Sequence, residues 1–82
     1  MTSQALIDAV EAGRRGIGYA QWTVGITADP ERRKTEHGSP ALWQHWKADS
    51  EPIARGVERY FLDKGMKGDT GGGLTPTYVY IF

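Results

Sequence analysis

The chain has 82 residues, with ten basic and ten acidic side chains, no cysteine and a formal net charge of zero at neutral pH. A chain of this length predicts a single domain, residues 1–82, that buries only about 60–65% of its unfolded surface and so has a thin core. The lack of cysteine excludes disulfides and thiolate metal sites, and the charge balance argues against a protein that coats nucleic acid by bulk electrostatics.

The sequence carries no sign of a membrane or export segment. No apolar run approaches the ~20 residues that a spanning helix needs. The N-terminus also lacks the charged-then-apolar pattern of a secretion signal. We therefore expect a cytoplasmic protein without a membrane partner.

The N-terminal segment predicts a helix near residues 3–12. Its apolar side chains form a narrow stripe at helical spacing, and Gly13 ends the pattern. We expect residues 1–18 to be this helix, loosely packed, followed by a connector.

A strand and a short basic helix come next. Residues 19–27 alternate apolar and polar side chains with a period of two, as a half-buried strand does. Asp29 is a suitable N-cap and Pro30 a suitable first residue for a helix near residues 30–37. That helix carries three consecutive cations at positions 32–34, and such a run usually lies on a solvated helix face.

Residues 42–48 allow two interpretations. Their alternation predicts a strand, whereas Trp43 and Trp46 stand three apart, as they would on one side of a helix. The segment is only seven residues long and lies between two turn signals, and this length favours the strand.

The C-terminal half predicts a helix, a loop and a strand. Residues 51–64 have a wide apolar stripe at helical spacing, and Gly65 ends the helix. Five glycines between residues 64 and 75 argue against regular structure there, so we expect a loop. Residues 77–82, TYVYIF, predict a strand.

Together these elements predict an α+β fold in which helices cover one small three-stranded sheet. The strands lie near residues 19–27, 42–48 and 77–82, and the helices near residues 3–12, 30–37 and 51–64. Many functions share such a fold, so the function must be inferred from particular side chains.

The segment VGITADPERRKTEH, residues 24–37, resembles part of the GIY-YIG endonucleases. In that family the YIG motif, which gives the second half of the family name, is followed by a capped helix that carries a catalytic arginine. Gly25 matches the glycine of the motif, and Arg33, eight residues later, matches the arginine. Arg32, one position away, is an alternative to Arg33.

A second segment, residues 54–65, resembles a later helix of the same family, in which an alanine stands four residues before a metal-binding glutamate. Ala54 and Glu58 match that spacing. The predicted strand at residues 42–48 also occupies the place of the family's third strand.

The chain departs from the family in two ways. The tyrosine of the second motif corresponds to Thr23, and the first motif is not found at its usual distance upstream. Residues 75–80, TPTYVY, resemble that first-motif strand, which implies a circularly permuted fold. A permuted fold requires the C-terminal strand to lie beside residues 19–27 and antiparallel to them.

The resemblance implies hydrolysis of phosphodiesters in nucleic acid with one Mg²⁺ or Mn²⁺ ion. Glu58 would bind the metal, Arg33 would stabilise charge on the phosphate, and Tyr78 or Tyr80 would position or activate the attacking water. We expect Arg33, Glu58 and a C-terminal tyrosine to meet on one face within about 10 Å.

Each of these residues also has an ordinary structural interpretation. Glu58 is typical of a solvated helix carboxylate, and Tyr78 and Tyr80 are typical of packing between strands. His37 and His45 stand on different elements without a second histidine cluster, which favours surface or hydrogen-bonded roles over metal binding.

A second function of another class is a small non-catalytic interaction module, of the kind that a phage or mobile-element accessory protein supplies. It would bind a protein partner through exposed aromatic side chains or through an unpaired edge strand at residues 77–82. Thr23 in place of the family tyrosine, together with zero net charge, weighs towards lost catalysis, so the activity stays open.

Overall fold

A computed structural model describes residues 1–69 and 75–82; the predicted loop therefore lies partly outside the described residues, at 70–74. The chain forms an α+β domain, as predicted. No helix among the described residues is long and apolar enough to cross a membrane. The elements are α1 (Ser3–Gly13), β1 (Thr23–Thr27), α2 (Pro30–Glu36), β2 (Gln44–Lys47), α3 (Glu51–Lys64), β3 (Lys67–Gly68) and β4 (Tyr78–Ile81).

The C-terminal strand β4 lies inside the sheet, whose strand order is β2-β4-β1-β3. It runs antiparallel to β1, with Gly25 opposite Tyr80, and antiparallel to β2 on its other side. The expected neighbour relation between the C-terminal strand and β1 is therefore confirmed. The idea that residues 77–82 form an edge strand is wrong, because both sides of β4 are paired and β2 and β3 are the edges.

Two details of the predicted strands are also wrong. Lys67 and Gly68, in the segment expected to be irregular, form β3 and pair with β1 in parallel. A two-residue strand shows no period that a sequence could reveal. The first strand is shorter than predicted, because residues 19–21 form a single 3₁₀ turn and β1 begins at Thr23.

One face of the sheet carries the hydrophobic core, which is covered by α1 and α3. The side chains of β1 and β4 that point to this face alternate along the strands, and they pack with Leu6 and Val10 of α1, which are both 0% exposed. The expectation of a loosely packed N-terminal helix is therefore wrong for α1. The sheet residues of this face are Val24, Ile26, Val79 and Ile81.

The opposite face carries polar and aromatic side chains and is approached by the short helix α2. Residues of this face alternate with the core residues, since successive side chains of a strand point to opposite sides. The helix begins where the sequence predicts, because the Asp29 side chain accepts a hydrogen bond from the Arg32 amide and Pro30 opens the first turn. The face contains Gly25 of β1, Tyr78 and Tyr80 of β4, and Trp43 and His45 at β2.

Candidate functional site

Tyr80 packs directly over the backbone of Gly25. A Cβ atom built on Gly25 would lie 2.3 Å from the hydroxyl oxygen of Tyr80 and 2.4 Å from its Cζ atom. Distances below about 3.0 Å do not occur for real Cβ atoms, so only glycine fits at this position. The position of the Tyr80 side chain therefore requires glycine at residue 25.

The hydroxyl group of Tyr80 lies at the centre of a polar cluster. It accepts a hydrogen bond from Arg33 Nε at 3.3 Å and donates one to Asp69 Oδ2. The same Asp69 oxygen lies 3.2 Å from Arg33 Nη2 and 2.7 Å from His37 Nε2. Arg33, His37, Asp69 and Tyr80 are named the Arg33 cluster below.

The contacts within the cluster shift the pKa values of Arg33, Asp69 and Tyr80. Burial raises the pKa of Asp69, but hydrogen bonds from Tyr80 and His37 and the charge of Arg33 lower it more, so the net shift is downward. Burial, together with the bond to Asp69, raises the pKa of Tyr80, and the contacts of Arg33 with Tyr80 and Glu36 raise the pKa of the guanidinium. At neutral pH Asp69 is an anion and Tyr80 is neutral.

Aromatic rings enclose the cluster on the sheet side. The Trp43 ring stacks on Tyr80 with 4.5 Å between ring centroids, and the Phe82 ring lies 4.5 Å from the His37 ring. Tyr80 is 0% exposed, whereas the side chains of Arg33, His37 and Asp69 keep 21%, 26% and 17% of their surface exposed. A ligand can therefore reach the guanidinium, the imidazole and the carboxylate, but not the phenol.

The structure brings two of the predicted site residues, Arg33 and Tyr80, into direct contact. Arg32, the alternative arginine, is 76% exposed and pairs with Glu36 at 3.5 Å. Tyr78 lies on the same face as Tyr80, where its ring packs 6.0 Å from the ring of His45.

Glu58 lies on α3, the helix that covers the core face, whereas Arg33 and Tyr80 meet on the opposite face of the sheet. The expectation that all three residues meet on one face is therefore wrong. In the described part of the chain, no hydrogen bond or ion pair joins Glu58 to Arg33 or Tyr80. Burial raises the pKa of Glu58, the charge of Arg55 opposes this, and the charge of Asp69 raises the pKa further. Leu62, one helical turn after Glu58, approaches Gly68 of β3, so Glu58 faces the β3 edge near Asp69.

The donor chemistry around Glu58 fits a divalent cation held by few protein ligands. The carboxylate is partly buried and makes no hydrogen bond or ion pair within residues 1–69 and 75–82, and the Asp69 charge opposes its ionisation. Those residues contain no group of three or more metal-binding side chains. Mg²⁺ commonly binds one or two carboxylates and completes its shell with water and substrate phosphate, so Glu58 suits such an ion.

Sequence reasoning missed two members of the cluster. Asp69 is a lone carboxylate in a glycine-rich stretch, and no pattern distinguishes it from a loop residue. The sequence favours an ordinary role for His37, although this residue follows Arg33 by four positions and caps α2, a spacing that places both side chains on one side of a helix.

No protein-family model, no curated protein and no solved structure matches the chain.

Proposed function

We propose that the chain is a GIY-YIG-like, metal-dependent phosphodiesterase that acts on nucleic acid. The observation that best supports this proposal is the contact between Arg33 and Tyr80 above Gly25. The family likeness selected these three residues from separate parts of the chain. The antiparallel pairing of β1 with β4 is the arrangement that a permuted fold requires.

Arg33 is the residue proposed to bind the phosphate. Its guanidinium is always charged and presents several donors in one plane, which suits the oxygens of a phosphodiester. Tyr80 and Glu36 hold two of its nitrogens, at 3.3 and 3.1 Å, and so fix its orientation before a substrate binds. A fixed guanidinium stabilises charge that grows on the phosphate without the cost of reorganisation.

His37 is the residue proposed to accept the proton of the attacking water. In the tautomer that carries its proton on Nε2, this atom donates to Asp69 Oδ2 at 2.7 Å, and Nδ1, which makes no hydrogen bond within the described residues, is the nitrogen proposed to act as the base. Tyr80 is unsuited to this step because it is fully buried and its pKa is raised. Tyr80 is instead a positioning residue for Arg33 and Asp69, and Tyr78 contributes to the substrate surface.

Glu58 is the residue proposed to hold Mg²⁺ or Mn²⁺. When bound, such an ion supplies positive charge that polarises the phosphate. The partly buried carboxylate makes no hydrogen bond or ion pair in the described part of the chain, so its oxygens are proposed as ligands of the ion.

Cleavage of DNA by the purified full chain tests the proposal. Supercoiled plasmid and a single-stranded oligonucleotide are incubated with Mg²⁺ or Mn²⁺ and with wild type, Arg33→Lys, Glu58→Gln or Arg32→Lys. Loss of the planar donor fork in Arg33→Lys is expected to lower the rate by ~10²–10³-fold. Arg32→Lys is the matched control, and we expect a change of no more than about twofold because Arg32 is solvent-exposed.

Two results would overturn the proposal. One is wild type that cleaves neither substrate with either metal, and the other is cleavage that persists undiminished in Arg33→Lys or Glu58→Gln, which would indicate a contaminating nuclease. A chain that neither cleaves nor binds nucleic acid supports the non-catalytic module instead. The contact surface of that module would be aliphatic, since the exposed large apolar side chains of the described residues are Met1, Ile17 and Leu42.

A further inference from the structure

The polar face of the sheet continues beyond the Arg33 cluster, over β2 and the first half of β4. In the register of these two strands, His45 lies opposite Tyr80 and Lys47 lies opposite Tyr78. Paired residues of an antiparallel ladder point to the same side of the sheet, so His45, Lys47 and Tyr78 share the face of the cluster. Together with Trp43, which stacks on Tyr80, these three residues are named the Tyr78 strip.

The strip contains a row of aromatic rings in contact with one another. The Trp43 and His45 ring centroids lie 6.3 Å apart, and those of His45 and Tyr78 lie 6.0 Å apart, both in an edge-on arrangement. Each of these three residues keeps part of its surface exposed, whereas Tyr80, against which Trp43 stacks, is fully buried. The row therefore begins at the Arg33 cluster and presents accessible aromatic residues along β2.

The strip also carries a hydrogen-bond donor and a positive charge. Trp43 donates to His45 Nδ1 at 2.9 Å, so the neutral imidazole carries its proton on Nε2. In the described part of the chain this Nε2 atom has no partner and is not among the fully buried atoms, so a ligand can reach it. The exposed Lys47 places its ammonium 5.9 Å from the Tyr78 ring centroid, and the strands β1, β2 and β4 contain no acidic residue. This charge pattern suits a polyanion.

We propose that the Tyr78 strip binds an unpaired strand of nucleic acid beside the phosphate that Arg33 contacts. Aromatic side chains stack on the faces of bases, and these faces are available in an unpaired strand but not inside a duplex. Lys47 and His45 Nε2 contact the phosphates of the same strand, as cations and donors do in grooves that follow a single strand. This inference rests on the proposed function, because it names the class of substrate that enters the Arg33 site.

Fluorescence anisotropy of labelled strands of about 15 nucleotides tests this assignment with the full chain, in EDTA so that no cleavage occurs. Strands of thymidylate and of uridylate distinguish DNA from RNA as the source of the same stacking chemistry, and a blunt DNA duplex of equal length is the reference. Tyr78→Ala is expected to raise the Kd of the strand by ~10–100-fold, because a stacked base is lost. Tyr60→Ala is the matched control and is expected to leave this Kd unchanged. Tyr60 is also partly exposed, with the Lys64 ammonium 5.3 Å from its ring centroid, but it lies on α3, on the other side of the sheet.

Lys47→Gln tests the charge of the strip at an exposed position, where the substitution leaves the core intact. It is expected to reduce the slope of log Kd against log salt concentration by about 0.7, the value for one phosphate contact to a single strand, whereas Lys64→Gln is expected to leave the slope unchanged. A Kd unchanged in Tyr78→Ala, a slope unchanged in Lys47→Gln, or a duplex bound as tightly as the strand overturns the assignment. Strand binding through Tyr78 without any cleavage would remove the phosphodiesterase proposal and leave the strip standing. Cleavage by wild type without preferential binding of the strand would remove the strip alone.

Discussion

Replacing Gly25 with alanine is expected to destabilise the fold, because the new methyl group and Tyr80 cannot both be accommodated. The Tyr80 hydroxyl and Cζ atoms, at 2.3 and 2.4 Å from the added Cβ, would have to recede by roughly 1 Å to reach ordinary contact. Tyr80 cannot recede freely, since Trp43 stacks on its ring and Asp69 and Arg33 hold its hydroxyl.

The magnitude follows from two opposing contributions. Overpacking of this kind costs ~1–3 kcal/mol, and the pinned ring places Gly25→Ala at the upper end. Alanine regains roughly 0.5–1 kcal/mol in a strand because it loses less backbone entropy than glycine. The net loss of unfolding free energy is therefore about 2 kcal/mol, which lowers Tm by about 8–16 °C in a domain of this size.

Urea unfolding followed by tryptophan fluorescence measures the change. Gly56→Ala is the matched control, because Gly56 is exposed on α3 and an added Cβ meets nothing within 4 Å. That control is expected to gain roughly 0.5–1 kcal/mol from helix propensity. A Gly25→Ala variant as stable as wild type would refute the close approach of Tyr80 to β1, and with it the geometry of the Arg33 cluster.

Three further variants test the electrostatics and the capping. Asp69→Asn is expected to cost about 2–3 kcal/mol at neutral pH. Because folding lowers the pKa of Asp69, the ionised carboxylate stabilises the fold fully above its unfolded-state pKa of about 3.9. This stabilisation is lost as the pH falls through the folded-state pKa. The urea midpoints of variant and wild type are therefore expected to converge in acid. Glu58→Gln is expected to stabilise the fold at pH 7, because the raised pKa of Glu58 means that folding disfavours its ionised form. This gain in stability disappears below the unfolded pKa of about 4.3. A Glu58→Gln variant that is less stable than wild type at pH 7 contradicts this reasoning. Ser50→Ala removes the acceptor for the Ile53 amide at the start of α3 and is expected to cost about 1 kcal/mol in thermal unfolding.

Elements that carry their own local signal were predictable from the sequence. The apolar stripe of α3 does contain the residues that the fold buries, Ala54, Val57 and Phe61, and its end at Gly65 is set by a left-handed backbone with φ of 114°. The strand interpretation of residues 42–48 is also confirmed, since β2 pairs along its whole length with β4.

Features that depend on how distant segments meet were not predictable. Lys67 and Gly68 pair with β1 because α3 ends beside that strand, and no period of the sequence encodes this pairing. A position at the end of the chain does not reveal that β4 is central to the sheet. Asp69 belongs to the cluster only because it follows β3, which places its carboxylate beside the Tyr80 hydroxyl. Arg33 and Tyr80, by contrast, were identified through their likeness to a family motif.

We propose that a metal ion bound by Glu58 and a phosphate bound by Arg33 share one site across the β3 edge. Mn²⁺ titration of the ¹⁵N-labelled full chain tests this directly, because a paramagnetic ion broadens the amide signals nearest to it. We expect broadening centred on Glu58 and Asp69 that reaches Arg33 and Tyr80 and is abolished by Glu58→Gln. Broadening centred on exposed carboxylates such as Glu31 or Asp63, or none at millimolar Mn²⁺, would contradict it.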